Sequence, residues 1–175
     1  LEQTIRIDEG AGSFADRDSF VGLRGDFGTV KIGQFDTPLK VIRGKVDQFG
    51  DRVGDIRNVS RVSGGAIGNL FDERFKNGVA YQSPTFNNLT FAFHYTPHNS
   101  TGTTIDNLRE SYSSSLSYEQ KNLYLAAAYE RFEGADGLEP QAIRLGAYYD
   151  VTAALRLTTL WQSAKDIPGG DFNVY

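Results

Sequence analysis

Apolar and polar side chains alternate along several stretches of about eight to ten residues. Residues 89–96 show the pattern best, because Leu89, Phe91, Phe93 and Tyr95 occupy every second position. Successive side chains of a β-strand point to opposite faces, so the pattern predicts a strand with one apolar face and one polar face. No part of the chain is typical of a second layer covering that apolar face, which favours lipid as its environment.

Turn signals separate the predicted strands, and short connections alternate with long ones. The predicted strands are Ser19–Gly25, Thr29–Phe35, Arg74–Gln82, Leu89–Thr96, Glu110–Tyr118, Leu123–Phe132, Ala142–Asp150 and Leu155–Ser163, with the end of one strand at Leu1–Asp8 and the start of another at Phe172–Tyr175. The turn Gly25–Gly28 is short, whereas residues 36–72 form a long connection. This alternation predicts an all-β fold, a transmembrane antiparallel up-and-down β-barrel with short periplasmic turns and longer external loops.

The composition agrees with a barrel. The mean hydropathy is −0.39, and no run approaches the roughly 18 apolar residues of a membrane-spanning helix. A barrel strand needs only about 9–11 tilted residues, of which alternate ones meet lipid. Aromatic residues make up 13% of the chain, which suits the aromatic girdles of a barrel but also a soluble β-sandwich.

Several functions are disfavoured by the residue content. The absence of cysteine excludes disulfides and thiolate metal sites, and a net charge of −4 offers no basic footprint for nucleic acid. His94 and His98 are four residues apart but not on a helix, so they do not form a helical zinc motif. Residues 63–68 are rich in glycine but lack the lysine of a phosphate-binding loop. We therefore expect no catalytic residues, no metal and no cofactor.

The polar faces of the predicted strands carry many cations. Strand alternation places on them Arg24, Lys31, Arg74, Lys76, Arg144 and Arg156. A dry core could not hold so many unpaired cations, so these faces are predicted to line a wet interior. Some of them could instead lie at the rim, in bulk water.

Two segments resemble the Gram-negative general porins of the β-proteobacterial and Neisseria type. Residues 18–38 are similar to the hairpin before the constriction loop of that family, and residues 74–84 to the strand after it. The resemblance implies a barrel of about 16 strands, a homotrimer, and contact with outer-membrane lipid and lipopolysaccharide. Residues 1–175 would then be one partial barrel domain, holding roughly strands three to eleven and the opening of the twelfth, with residues 36–72 folded inward. The sequence is therefore expected to be incomplete.

A selective pore needs a narrow place lined by fixed charges. The resemblance implies that the long connection folds into the lumen, where Asp47, Asp51 and Asp55 would face the wall. Alternatively, these acids could form turns or pair with basic residues nearby in the connection. Because residues 36–73 contain six acids and six bases, no net sign emerges.

The resulting prediction is a passive channel for small hydrophilic solutes and ions in the bacterial outer membrane, and not an enzyme. A substrate-specific outer-membrane channel, for example for anionic or sugar solutes, is the nearest alternative. A soluble all-β binding module and a membrane-anchored barrel plugged by residues 36–72 are alternatives from other functional classes.

Overall fold

Nearly all of the regular structure belongs to one large sheet. A computed structural model describes residues 18–63, 69–97, 108–134, 139–167 and 169–175. Its elements are β1 (Ser19–Gly25), β2 (Gly28–Asp36), α1 (Pro38–Val46), α2 (Arg57–Ser60), β3 (Val62–Ser63), β4 (Asn69–Leu70), β5 (Arg74–Gln82), β6 (Leu89–Thr96), β7 (Leu108–Gln120), β8 (Leu123–Gly134), β9 (Gln141–Thr152), β10 (Leu155–Lys165) and β11 (Phe172–Val174). The predicted strand end at Leu1–Asp8 lies outside the described residues.

The large sheet has nine strands in the order β1-β2-β5-β6-β7-β8-β9-β10-β11. Every neighbouring pair is antiparallel, so the chain runs up and down without a crossover. The short connections 26–27, 83–88, 121–122 and 153–154 lie at one end of the sheet, which we call the short-turn end. The opposite end, which we call the long-loop end, carries the last residues of β2, β6, β8 and β10 and the first residue of β5. The predicted fold class is confirmed.

The two faces of the sheet differ in chemistry, as the alternation predicts. On the outer face apolar side chains are exposed, including Leu23 at 74% and Leu157 at 58% of their surface. On the inner face, defined as the face against which α1 packs, polar side chains such as Arg144 and Gln162 are fully buried. Since both side-chain sets belong to the same strands, the burial is caused by the connection that lies on one face only.

One strand departs from simple alternation. Between Gly33 and Phe35 the pairing of β2 with β5 shifts register, because β5 has one residue more than β2 over the same stretch. Asn77, at this bulge, has a φ of +52°, and Phe75 becomes a fully buried inner-face residue. The prediction that Arg74 and Lys76 share the face of Gly78 was therefore wrong, since a bulge moves every later side chain to the other face.

The long connection contains helices that the alternation did not predict. Thr37 caps α1 by accepting a hydrogen bond from the Lys40 N–H at 3.3 Å, and Pro38 occupies the first turn. Both residues favour helix initiation, because threonine satisfies a free amide and proline has none to satisfy. Neither helix in the described residues is long and apolar enough to span a membrane.

Candidate functional site

The candidate site is the inner face of the sheet together with the described residues of the long connection, 36–63 and 69–73, which we call the connection. Helix α1 starts at the long-loop end and runs along β7, β8 and β9 toward the short turns. Its apolar residues Leu39, Ile42 and Val46 are at most 1% exposed. They pack in two clusters with small and aromatic wall residues, among them Ala128 and Tyr148. This spacing of three and four residues places them on one helix face.

A glycine of the wall allows the helix to approach. A Cβ atom on Gly146 would lie 2.5 Å from Cγ2 of Ile42. No real Cβ atom tolerates such a contact, so a larger residue would push α1 away from β9. Gly146 therefore sets how closely the connection packs on the wall.

A buried ion pair fixes the connection near the long-loop end. Arg144 of β9 donates to both carboxylate oxygens of Asp72, at 2.6 and 2.8 Å, and neither side chain is exposed. Arg144 also donates to the carbonyl oxygen of Leu39 at 3.0 Å and to Gln162 at 2.8 Å. The Gln162 amide in turn donates to the Ser60 carbonyl at 2.8 Å. The guanidinium thus joins both ends of the connection to the wall.

The charge state of Asp72 follows from its partners. Burial by itself disfavours the charged carboxylate, but the hydrogen bond and charge of Arg144, the Ser60 hydroxyl and the charge of Arg43 outweigh it and lower the pKa of Asp72. Arg43 of α1 lies 3.2 Å from Asp72. Asp72 therefore stays ionised between two guanidinium groups. Sequence reasoning counted it only as one loop acid, because no local pattern shows a partner 72 positions away.

Two of the three acids predicted to line the lumen are used inside the connection. The Asp47 side chain is 1% exposed, pairs with Arg43 at 3.3 Å, and accepts the backbone N–H groups of Phe49 and Ile56 at 2.9 and 3.1 Å. The Asp55 side chain is 3% exposed and lies 2.9 Å from Arg57. These contacts correct the hypothesis for Asp47 and Asp55, because partners nearby in the chain take both carboxylates.

The pKa of Asp55 shows how strongly it is held. Burial raises this pKa, but hydrogen bonds from the N–H groups of Asp51 and Arg57 and the Arg57 charge lower it to about 2. Asp51 itself differs from the other two acids, since its side chain is 90% exposed although Arg57 lies 2.7 Å away. Of the three predicted acids, Asp51 alone presents an open carboxylate.

The predicted basic residues occupy different environments. Arg144 lies behind the connection and is not open to the interior. Arg156 pairs with Asp150 at 2.5 and 2.8 Å, and its guanidinium lies 3.8 Å from the centre of the Tyr148 ring. Arg74 pairs with Asp36 and Asp18 at the long-loop end.

Arg24 and Lys31 remain on the open inner face. They line one recess at the short-turn end, and the Lys31 ammonium lies 4.6 Å from the centre of the Phe20 ring. In the part of the chain that the structure describes, no carboxylate lies within ion-pair distance of Lys31. Its charge is therefore available to a solute.

A cavity of about 310 Å³ separates α1 from β2, β5, β6 and β7. Its wall includes hydroxyl-bearing residues such as Thr29 and Ser115, and charges of both signs come from Lys31, Asp36, Lys45 and Glu119. Glu119 also accepts from Lys45 of α1 at 3.1 Å and from the Tyr148 hydroxyl at 3.2 Å, which ties the end of the helix to the wall. The arrangement can hold water and polar solutes beside fixed charges.

The histidines do not assemble a metal site in the described residues, where no group of three histidine, cysteine or acidic side chains could hold an ion. His94 is buried and stacks on Phe35 with ring centres 4.2 Å apart. Its ring also fills the space that a side chain at Gly78 would need. His98 lies outside the described residues.

Comparison with known proteins gives one consistent result. A family model described as Gram-negative porin matches residues 1–175. Major outer membrane protein P.IB of Neisseria gonorrhoeae is 30% identical over 144 residues, 79% of this chain and 38% of that protein. Its namesake from Neisseria lactamica is 29% identical over 126 residues, 71% of this chain and 34% of that protein.

A solved structure agrees with these relatives. The anion-selective porin from Comamonas acidovorans superposes with a TM-score of 0.73 at 25% identity, covering 90% of this chain and 49% of that chain. The chain thus spans less than half of the length of each of these proteins.

Proposed function

The chain belongs to the Gram-negative porin family, and from this premise we propose that the protein is a passive diffusion channel for small hydrophilic solutes and ions. Its location is the bacterial outer membrane. We assign it no catalytic role. Family membership also argues against the soluble binding module that the sequence alone left open.

The observation that carries the proposal is the contrast between the two faces of one sheet. Exposed apolar side chains such as Leu23 and Leu157 cover the outer face, as lipid contact requires. The inner face carries charges and hydroxyls, and the connection of residues 36–73 narrows the space in front of it. A water-filled passage with charged walls selects solutes by size and charge.

The remaining assignments extend this proposal. Residues 1–175 form part of a single barrel domain, the connection forms its constriction, and the complete protein is a homotrimer in contact with lipid and lipopolysaccharide. Asp51, Arg24 and Lys31 are the charges most open to a passing solute. Asp47, Asp55 and Arg144 act indirectly, by holding the connection in place.

The ion pairs favour a preference for anions as a second, more specific function. Each of the six acids of residues 36–73 lies in an ion pair with a lysine or arginine. In the described residues Arg52, near the tip of the connection, and Lys31 on the wall have no such partner. Among the described residues of the connection, the unpaired charge is therefore positive. The Comamonas structure named above is an anion-selective porin.

Planar-bilayer recordings of the full-length protein test both functions. Open, water-filled channels support the diffusion function, and failure to form them contradicts it. For the preference, Lys31→Gln should move the reversal potential in a salt gradient toward cation selectivity. The shift should be largest at about 0.01 M salt, where the Debye length is about 30 Å. Lys165→Gln, which removes an exposed lysine at the end of β10, is the matched control and should cause no shift.

A further inference from the structure

A buried carboxyl group lies beneath the start of α1. Glu130 of β8 has no exposed surface and stands directly opposite Ser113 on β7 and Ala142 on β9. Neither of its carboxyl oxygens has a well-formed hydrogen bond in the structure. A buried polar group without a partner is costly, so its retention here calls for an explanation.

Two hydroxyl groups connect Glu130 to the helix. The Ser113 Oγ accepts the Leu39 N–H at 3.2 Å, and the Thr37 Oγ1 accepts the Lys40 N–H at 3.3 Å. Each hydroxyl still has its own proton to donate, and both lie beside the Glu130 carboxyl. A hydroxyl rotates to suit its partners. An ionised Glu130 would accept both protons and leave the oxygen lone pairs facing the first amides of α1.

Burial disfavours the ionised form of Glu130, whereas the two hydroxyl donors and part of the surrounding charge favour it. The N-terminus of a helix carries a partial positive charge, and Arg144 on β9 attracts the Glu130 carboxylate. Asp72 in the connection repels it, although its own charge is matched by Arg144 and Arg43. His94 of β6, another titratable group of the inner face, stands on the far side of Ser113.

We propose that ionised Glu130 is the positioning residue for the base of the connection and that its protonation loosens α1 from the wall. A protonated carboxyl would donate its proton to one of the two hydroxyl oxygens, whereas the ionised carboxyl accepts from both. This donation would compete with the hydrogen bond that the same oxygen accepts from the N–H group of Leu39 or Lys40. This inference rests on the proposed channel function, because the connection must narrow the pore for its movement to be read as current.

Single-channel recordings of the full-length protein between about pH 8 and about pH 4 test this proposal. The range includes the pKa values of both ordinary and buried carboxyl groups. The wild type should develop added brief current fluctuations as the pH falls, and we call this change the pH step. Glu130→Gln, which resembles the protonated form, should show them throughout the range and lose the pH step. The control Glu110→Gln removes an exposed carboxyl that bonds Tyr95, and it should keep the wild-type profile.

A disulfide that can be reduced distinguishes movement of the connection from a direct effect of the Glu130 charge on the current. A Cβ on Gly146 would lie 2.5 Å from Cγ2 of Ile42. Because Cγ2 is one bond from Cβ, the two Cβ atoms lie within about 4 Å, which is within reach of a disulfide between Ile42→Cys and Gly146→Cys. The 175 residues contain no other cysteine. The oxidised variant should lose the pH step, and reduction should restore it. A step that persists in the oxidised form would overturn the proposal.

Ser113→Ala gives an independent measurement if Glu130→Gln does not assemble. It keeps the carboxyl and removes one hydroxyl donor to its ionised form, so the step should move to higher pH. An unmoved step, or a wild-type profile in Glu130→Gln, would contradict the role of Glu130. Channels that never open under any condition would instead contradict the proposed function itself.

Discussion

The ion pair between Asp72 and Arg144 gives the sharpest test of how the connection is held. In Asp72→Asn the Arg144 guanidinium remains fully buried beside Arg43 but loses its carboxylate. Both side chains of the pair are 0% exposed, and two hydrogen bonds of 2.6 and 2.8 Å join them. Breaking such a pair by removing one charge costs about 3–5 kcal/mol. Since about 1.4 kcal/mol corresponds to a factor of ten, the fraction of molecules in which the connection has left the wall should rise about a hundred- to a few-thousand-fold.

Limited proteolysis of the refolded full-length protein measures this population, because cleavage tracks the open form when closing is fast. The control Asp150→Asn breaks the pair with Arg156, whose side chains are 29% and 38% exposed. An exposed pair contributes only about 0–1 kcal/mol, so cleavage within residues 36–73 should hardly change. The denaturant midpoint of the barrel should move less than the cleavage rate in Asp72→Asn, since the strands keep their own hydrogen bonds. Equal cleavage rates in the two variants would refute the reasoning.

Three further outcomes follow from the same contacts. Phe93→Arg should lower the free energy of unfolding by about 2–4 kcal/mol if Phe93 lies near the bilayer midplane, whereas Thr90→Arg on the inner face should lower it far less. Reversible unfolding in lipid vesicles measures both values, and equal values would contradict the assignment of the faces. Gly146→Val should displace α1 at a cost of about 1–3 kcal/mol and speed proteolysis of the connection, and unchanged proteolysis would contradict the close contact with Ile42. The pKa of Asp55 is lowered to about 2, so its stabilisation of the connection is complete above its ordinary pKa and is lost as the pH falls toward about 2. Asp55→Asn should remove that acid-dependent step in proteolysis.

The strands could be predicted from the sequence because alternation is local and strict. β1, β5 and β6 begin and end where the pattern places them, and the structure extends β7 from the predicted Glu110–Tyr118 to Leu108–Gln120. The extension was missed because Glu119 and Gln120 are polar, whereas backbone pairing continues regardless of side-chain polarity. The bulge at Asn77 was missed for a related reason, since alternation assumes that no residue is inserted.

Helix α1 could also have been found from the sequence. Thr37 followed by Pro38 is a start signal, and Leu39, Ile42 and Val46 recur at helical spacing. These three residues pack on the inner wall. Phe49 and Val53 of the same connection do not, since they are 59% and 100% exposed.

Charges along the connection could be counted from the sequence, but the charge that a solute would meet could not. Equal numbers of acids and bases suggest no field, yet pairing decides which charges remain open. Asp47 faces Arg43 one helical turn away, a contact that local spacing allows. The neutralisation of Asp72 depends instead on Arg144, which reaches it only because strands β5 to β9 and the folded connection bring them together. Residual charge is thus a property of the tertiary fold, and the open cations Lys31 and Arg52 become distinguishable from the others only once every pair is placed.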